Sequence, residues 1–301
     1  MNEGRLRHLI GQVKSGKVSR RAFLRRMAAA GLAAPLANQL LAYSGVAMAQ
    51  SRPVYKPTKR GGGGVLKVLW WQAPTLLNPH FATGTKDQDG SRLFYEPLAG
   101  WDQDGNLRPL LAESIPGRED GTLSADGKSV TWKLKKNVKW HDGQPFTADD
   151  LVFNWQYSRD PATAAVTSGV YTDITVEKVD SHTVTVKFKE PTPFWAEAFV
   201  GAAGMIIPKH LFADYIGGKS REAPTNLKPV GTGPYMFKDF KPGDLVAGVI
   251  NPKYHQDNKP YFDAIEMKGG GDAVSAARAV LQTGEFDFGW NMQVEDEILT
   301  R

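Results

Sequence analysis

Short stretches of alternating or continuous apolar residues run through the chain and predict β-strands. Residues 130–134 (VTWKL) and 184–188 (VTVKF) alternate apolar with polar positions, which predicts strands with one buried face. The runs 65–71 (VLKVLWW) and 244–250 (DLVAGVI) are more continuously apolar and predict buried strands. An Asp-Gly pair at 104–105 predicts a hairpin turn. The region 98–189 is therefore predicted to form an antiparallel β-rich module.

Helical patterns appear mainly after residue 190. Asp272 precedes a segment with apolar residues on one face, which predicts a capped helix that ends before Gly284. The apolar run 193–200 predicts a second, short helix, and 286–290 (FDFGW) predicts a following strand. Strands and helices mixed in this way predict an α/β fold for the later part of the chain.

The N-terminus has the composition of an export signal. Residues 19–25 (SRRAFLR) resemble the twin-arginine signal S-R-R-x-F-L-K, with Arg20 and Arg21 as the arginine pair. An alanine-rich segment follows, and Ala47 and Ala49 are the small residues that a signal peptidase would read. Residues 1–49 are thus predicted to be a cleaved signal peptide, and the Pro/Gly-rich residues 50–64 a flexible linker. A membrane anchor is the alternative, disfavoured by the polar and helix-breaking residues Pro35, Asn38 and Gln39.

Charge and cysteine content narrow the function classes. The chain has 37 basic and 32 acidic residues, but residues 1–49 hold eight of the former and one of the latter, which leaves 29 and 31. The positive balance therefore belongs to the N-terminus, and no nucleic-acid partner is expected. The absence of cysteine from the 301 residues excludes disulfides, thiolate nucleophiles and cysteine-ligated metals. No cofactor is expected.

The segment VKWHDGQPFTADDLVF (138–153) holds the most suggestive chemistry. His141 stands beside Asp142, and two further acids follow, as acid–base or metal chemistry would require. However, Asp142 begins a turn dipeptide, and Thr147 with Asp150 has the spacing of a helix capping box. Adjacent residues on a strand point to opposite faces, so His141 and Asp142 would not face one ligand. The structural interpretation is favoured.

The same segment resembles a signature of the family 5 extracellular solute-binding proteins, the dipeptide, oligopeptide and nickel receptors of ABC importers. Five further segments agree with that family in order and spacing: LNPHFATGT (77–85), YEPLAGWDQDGNLRPLLAESI (95–115), VGTGPYMFKDF (230–240), NPKYHQDNKPYFDAIEM (251–267) and AARAVLQTGEFDF (276–288). The resemblance covers about 65–290. His255 stands where members usually have an aromatic residue, a change expected to be tolerated at a surface turn.

The resemblance implies a periplasmic-binding-protein type II fold, in which two α/β lobes close on a solute. The first lobe would comprise 65–97 and 190–288, and 98–189 would be the small β-rich domain. Residues 289–301 would begin the crossover to a second lobe. Because members run several hundred residues further, the chain is expected to be an N-terminal portion with an incomplete first lobe.

The resemblance also implies which residues form the half-site of the first lobe. The residues expected to contact the solute are Trp71, Thr83, Gly84, Thr85, Lys86, Asp87, Ala203 and Gly204. The turn formed by Gly231, Gly233 and Pro234 is expected to support the hinge. No catalytic residue and no metal ligand is assigned.

The expected function is that of a periplasmic solute-binding component of an ABC importer, with a peptide or similar small polar solute. Its expected partners are ABC permease subunits of the inner membrane and, during export, the twin-arginine translocase. Two alternatives are a receptor for a metal or metal chelate of the nickel or haem kind, and a truncated, non-functional fragment. A metal-assisted hydrolase using His80, His141 or His255 is disfavoured because the sequence has no HExxH, GxSxG or P-loop motif.

Overall fold

The structure is a computed structural model that describes residues 3–15, 17–30 and 57–299. The chain divides into two compact units, Met1–Lys56 and Pro57–Arg301. No helix within the described ranges is long and apolar enough to cross a membrane.

The described residues of the first unit form two helices, α1 (Glu3–Lys14) and α2 (Arg20–Ala29). The Ser19 side chain caps α2 by accepting a hydrogen bond from the Ala22 amide at 3.2 Å. Among residues 5–30, the buried apolar side chains that form a cluster are Leu9, Ile10, Val13, Phe23 and Met27. Of the predicted signal residues, Arg20 and Arg21 open α2, whereas Ala47 and Ala49 lie outside the described residues.

The second unit contains the remaining strands and helices. Its strands are β1 (Val65–Leu69), β2 (Ala99–Trp101), β3 (Leu107–Pro109), β4 (Ser129–Lys133), β5 (Ile174–Asp180), β6 (Thr183–Phe188), β7 (Tyr235–Lys241), β8 (Leu245–Ile250), β9 (Ala264–Lys268) and β10 (Phe288–Gly289). Its α-helices are α3 (Thr85–Arg92), α4 (Ala148–Arg159), α5 (Lys209–Phe212), α6 (Ala273–Leu281) and α7 (Asp296–Leu299). Short 3-10 helices lie at Pro79–Phe81, Ser168–Val170, Ala202–Gly204, Ala213–Tyr215, Gly217–Glu222 and Pro224–Asn226.

The larger sheet has five strands in the order β10-β1-β9-β8-β7. Strands β1, β9 and β10 are parallel, whereas β8 is antiparallel to both β9 and β7. The carboxyl ends of the three parallel strands, at Leu69, Lys268 and Gly289, therefore form one edge of the sheet. The start of β7 and the end of β8 lie at the opposite, amino edge.

A smaller antiparallel sheet has the order β4-β6-β5, and β2 and β3 form a separate hairpin. These strands confirm the alternation seen in 130–134 and 184–188. Helix α4 contacts β5 of this sheet and begins with the predicted capping box. The Thr147 hydroxyl accepts from the Asp149 amide at 3.3 Å, and Asp150 accepts from the Thr147 amide at 2.9 Å.

One hydrophobic core runs through both sheets. Trp132 and Val184 of the smaller sheet and Val68 and Ile265 of the larger sheet belong to the same buried cluster. The residues of the predicted β-rich domain and of the predicted first lobe thus share their core.

The end of the predicted linker is held in place by hydrogen bonds. The Arg60 guanidinium donates to the carbonyls of Tyr254 and Gln256 at 2.6 and 2.8 Å. The Asp263 carboxylate accepts from the amides of Gly62 and Gly64 at 2.8 and 2.9 Å, and these bonds lower its pKa. Residues 60–64 therefore lead directly into β1.

The helix predicted over 193–200 is not formed. This segment consists of turns and bends that end in a single parallel bridge between Val200 and Ala99. Phe199 is buried at a φ of +62°, outside the helical region, and its carbonyl accepts from the Leu98 amide at 2.8 Å. Contacts with the β2 segment outweigh the local helical preference here.

Candidate functional site

Aromatic side chains gather at the carboxyl edge of the parallel strands, which is where open α/β sheets bind ligands. Trp70 and Trp71 follow β1, and Trp290 follows β10. The Trp70 and Trp290 rings stack at 5.9 Å with an interplanar angle of 12°, and the Trp71 and Trp290 rings lie 6.4 Å apart. The Trp71 indole N–H donates to the Asn291 carbonyl at 3.2 Å. Trp71 is partly exposed and so can offer its ring to a ligand.

A polar cluster ties the loop after Trp71 to the start of α3. The Asp87 carboxylate is 1 % exposed and accepts from the Thr75 amide at 2.7 Å and from its hydroxyl at 3.1 Å. The Lys86 ammonium donates to the Thr75 hydroxyl at 2.9 Å and to both Asp87 oxygens at 2.9 and 3.0 Å. Asp87 thus positions the loop from within the protein, whereas Lys86 remains partly exposed.

The other predicted residues near α3 have simpler surroundings. Gly84 is the extended N-cap of α3 and provides no side-chain cap. Thr83 and Thr85, on either side of it, are exposed. The two hydroxyls are therefore accessible to a solute at the start of the helix.

Ala203 and Gly204 lie in the 3-10 helix Ala202–Gly204, which contacts the segment Pro79–Phe81 that leads into Thr83. Ala203 is partly exposed, but Gly204 is buried. A Cβ atom on Gly204 would lie 2.1 Å from the Phe199 carbonyl carbon, so this glycine serves close backbone packing.

The predicted hinge turn lies at the amino edge of the large sheet, opposite Trp71. Gly231 and Gly233 are buried, and a Cβ atom on either would collide with the Phe94 carbonyl oxygen, at 1.8 and 2.6 Å. The Gly233 amide donates to that same oxygen at 2.7 Å. Pro234 follows and its carbonyl accepts from the Asn251 amide at 2.9 Å. The turn therefore packs the start of β7 against the chain that follows α3.

A buried carboxylate joins this turn to the end of β8. Glu96 is 5 % exposed and accepts hydrogen bonds from the Thr232 hydroxyl at 3.0 Å, the Tyr254 hydroxyl at 2.6 Å and His255 Nε2 at 2.9 Å. The expectation of a surface turn at His255 is wrong, because its side chain is 1 % exposed. The imidazole is a buried donor to Glu96.

His141 completes the same network from a fourth segment. Its Nδ1 accepts from the Gly231 amide at 3.1 Å, and its Nε2 donates to the Gly233 carbonyl at 3.0 Å. An accepting Nδ1 requires the neutral ring, and burial lowers the pKa of His141, which favours that form. Asp142 instead contacts His210 Nε2 at 2.6 Å. The adjacent residues His141 and Asp142 therefore have different partners, as predicted. We call the group Glu96, His141, Gly231, Thr232, Gly233, Asn251, Tyr254 and His255 the amino-edge network.

His80 is also a structural residue. Its ring nitrogens contact the Thr167 hydroxyl at 2.7 Å and the Asn154 side-chain oxygen at 2.9 Å. Burial lowers its pKa to about 4, so the ring is neutral at pH 7. The three histidines considered for a metal-assisted hydrolase are thus each engaged in internal hydrogen bonds. Among the described residues, no group of three or more His, Cys, Asp or Glu could hold a metal ion.

Sequence reasoning missed Trp290, Asn291 and Thr75 at the carboxyl edge and Glu96 at the amino edge. Trp290 was recognised only as the end of a strand. The position of Trp290 at the end of a strand could have indicated it as a site residue, because a residue directly after a parallel strand lies at the carboxyl edge of the sheet.

Comparison with known proteins identifies the class to which this fold and site belong. The family model for bacterial extracellular solute-binding proteins, family 5, matches residues 106–300, and the chain belongs to this family. The expected mixed α/β fold of the family is confirmed.

Three relatives illustrate the similarity. The oligopeptide-binding protein AppA of Bacillus subtilis is 33 % identical over 256 residues, which are 84 % of this chain and 45 % of AppA. The structure of AppA in complex with a nonapeptide matches with a TM-score of 0.67, over 77 % of this chain and 44 % of AppA. The glutathione-binding protein GsiB of Escherichia coli K12 is 31 % identical over 75 % of this chain and 42 % of GsiB. NikZ of Campylobacter jejuni, solved with Ni(L-His), is 26 % identical with a TM-score of 0.63, over 74 % of this chain and 42 % of NikZ. The chain thus spans less than half the length of these relatives.

Proposed function

We propose that the protein is the solute-binding component of an ABC importer and that its solute is a peptide. It would be exported to the periplasm through its twin-arginine signal, deliver the peptide to permease subunits in the inner membrane, and catalyse no reaction. The observation that carries this proposal is the partly exposed Trp71 beside Trp290 at the carboxyl edge of the sheet. The AppA and GsiB relatives, named for binding oligopeptides and glutathione, support the peptide class.

The chemistry of the edge suits a peptide. A peptide offers apolar side chains that can pack on an indole ring, together with backbone amides and carbonyls that need polar partners. Trp71 and Trp290 provide the ring surface, and Thr83, Thr85 and Lys86 provide exposed or partly exposed polar groups. Asp87 holds the Trp71 loop in place through Thr75, so the site is organised before the peptide arrives.

Titration of the full chain with a panel of solutes tests this proposal. The panel contains a nonapeptide, a tripeptide, glutathione and Ni(L-His), and thermal unfolding reports binding because a ligand of the folded state raises Tm. We expect peptides to raise Tm and the Trp71→Ala variant to lose most of that shift. Trp101→Ala, in the separate β2–β3 hairpin, is the matched control and should keep that shift. A shift with Ni(L-His) alone would replace the peptide with a metal chelate, and no shift with any solute would refute the proposal.

A further inference from the structure

A cavity of about 360 Å³ lies at the amino edge of the large sheet. Pro234 before β7 and Tyr254 after β8 form one wall, and Trp101 and Gly201 form another. Trp71 lies past the carboxyl ends of the parallel strands, so the two places are at opposite edges of the sheet. The cavity is therefore separate from the proposed peptide site.

One wall of this cavity is an exposed indole facing bare backbone. Trp101 is 59 % exposed, yet its backbone is fixed by pairing with Leu107 in the β2–β3 hairpin. Gly201, at φ +62° and ψ −153°, has a conformation that only glycine adopts readily. A Cβ atom there would lie 3.9 Å from Trp101 Cδ1. The Gly201 backbone therefore lies beside one edge of the indole, and the exposed part of the Trp101 ring is left for a ligand.

The charged groups on the lining differ in availability. The Glu96 carboxylate already accepts from Thr232, Tyr254 and His255. The Arg92 guanidinium is 63 % exposed, and its ion-pair partner Asp89 lies 3.7 Å away, beyond hydrogen-bond distance. The lining thus includes one exposed indole and one guanidinium whose ion pair with Asp89 is long.

A second cation supports an anionic ligand. The Lys135 ammonium donates to the carbonyl of Leu110, which lines the cavity, at 2.6 Å. Its charge also interacts favourably with Glu96, which counters the negative charge of the buried carboxylate. Lys135 thus offsets the charge of Glu96, and a ligand carboxylate would replace Asp89 as the partner of Arg92.

We propose that this cavity binds a small aromatic carboxylate. The aromatic ring stacks on the exposed part of the Trp101 indole, and the carboxylate forms paired hydrogen bonds with the Arg92 guanidinium. This site is independent of the peptide site and would act as an accessory site on the same lobe.

Phenylacetate is the probe, with phenylacetamide and acetate as matched ligands that lack the charge and the ring. The ¹⁵N-labelled full chain is titrated, and the Trp101 indole N–H signal is assigned by its loss in Trp101→Phe. We expect saturable shifts of this signal and of the Gly100 and Gly201 amides, with a Kd on the order of 1 mM for so small a ligand. Phenylacetamide and acetate should each bind about tenfold more weakly.

Three variants separate the contributions of the ring and the charge, and a fourth serves as control. Trp101→Ala should weaken phenylacetate binding about fivefold and Arg92→Gln about tenfold, whereas Arg92→Lys should keep part of the affinity because it retains the charge but loses the planar fork. Trp71→Ala should leave the Kd unchanged, so failure of the peptide proposal does not affect this one. Equal binding of phenylacetate and phenylacetamide, an unchanged Kd in Arg92→Gln, or shifts confined to the Trp71 and Trp290 signals would overturn the inference.

Discussion

Burial and internal hydrogen bonds determine which side chains of this protein are free to contact a solute. Asp87 is among the residues predicted to contact solute, but its carboxylate already accepts hydrogen bonds from Thr75 and Lys86. Trp71 could be selected from the sequence because it ends the predicted apolar strand 65–71 and the family resemblance implies a site at the strand ends. Its partner Asn291 could not, because the two residues are 220 positions apart and no local pattern joins them.

The buried His80 predicts an acid-sensitive fold. Its pKa is about 4 in the folded state against about 6.5 when unfolded, so the unfolded chain takes up the proton first. The free energy of unfolding that depends on a neutral, buried His80 is therefore fully present above pH 6.5 and is lost as the pH falls towards 4. Between pH 7 and pH 5 we expect the wild type to lose about 2 kcal/mol more unfolding free energy than His80→Gln, measured by urea denaturation. His182→Gln, at a partly exposed position, is the control; an identical pH dependence of wild type and His80→Gln would contradict the prediction.

Gly231 predicts a severe effect of one added methyl group. A Cβ atom would sit 1.8 Å from the Phe94 carbonyl oxygen, a backbone atom that cannot rotate away. Gly231→Ala should therefore cost about 3 kcal/mol or more, or prevent folding altogether. Gly218→Ala, where a Cβ meets nothing within 4 Å, should be nearly neutral. Similar unfolding midpoints in urea for the two variants would be incompatible with this packing.

At the scale of elements, the sequence predicted what depends on local pattern and failed where distant contacts decide. The alternating strands β4 and β6 and the Asp272 cap of α6 are confirmed, because each depends on neighbouring residues alone. The segment 193–200 has a helical pattern, but its backbone bonds to the β2 segment instead. An apolar run is compatible with either outcome.

The capping box of α4 predicts unequal effects of its two members. Thr147→Ala removes one cap hydrogen bond and should cost about 1 kcal/mol. Asp150→Ala should cost more, because its second oxygen also accepts from the Lys209 amide at 3.0 Å and so holds α5 against α4. Urea unfolding of both variants checks the order. Asp149→Ala, which removes only a surface ion pair with Lys178, is the control and should stay within about 0.5 kcal/mol; equal costs for all three would contradict the assigned roles.

At the scale of the whole molecule, the motifs that carry the family resemblance meet in space. The segments beginning at residues 95, 138, 230 and 251 each contribute to the amino-edge network. The family resemblance linked these segments along the sequence, but it did not show that they contact one another, because each was interpreted as a separate local turn. At the carboxyl edge, by contrast, the sequence indicated Trp71 and residues 83–87 but not Thr75, Trp290 and Asn291, which complete it.

The same network has a kinetic consequence. Its hydrogen bonds close loops of 136 residues between Glu96 and Thr232 and 159 residues between Glu96 and His255. Ordering such long loops is entropically costly, so these bonds should form after the rate-limiting step of folding. Thr232→Val should then accelerate unfolding while leaving the refolding rate nearly unchanged, as measured by stopped-flow urea jumps, whereas slower refolding would place the network in the folding nucleus. Bonds that form after the rate-limiting step of folding are absent from the transition state, so the hydrogen bonds of the Glu96 carboxylate should slow unfolding and lengthen the lifetime of the folded protein.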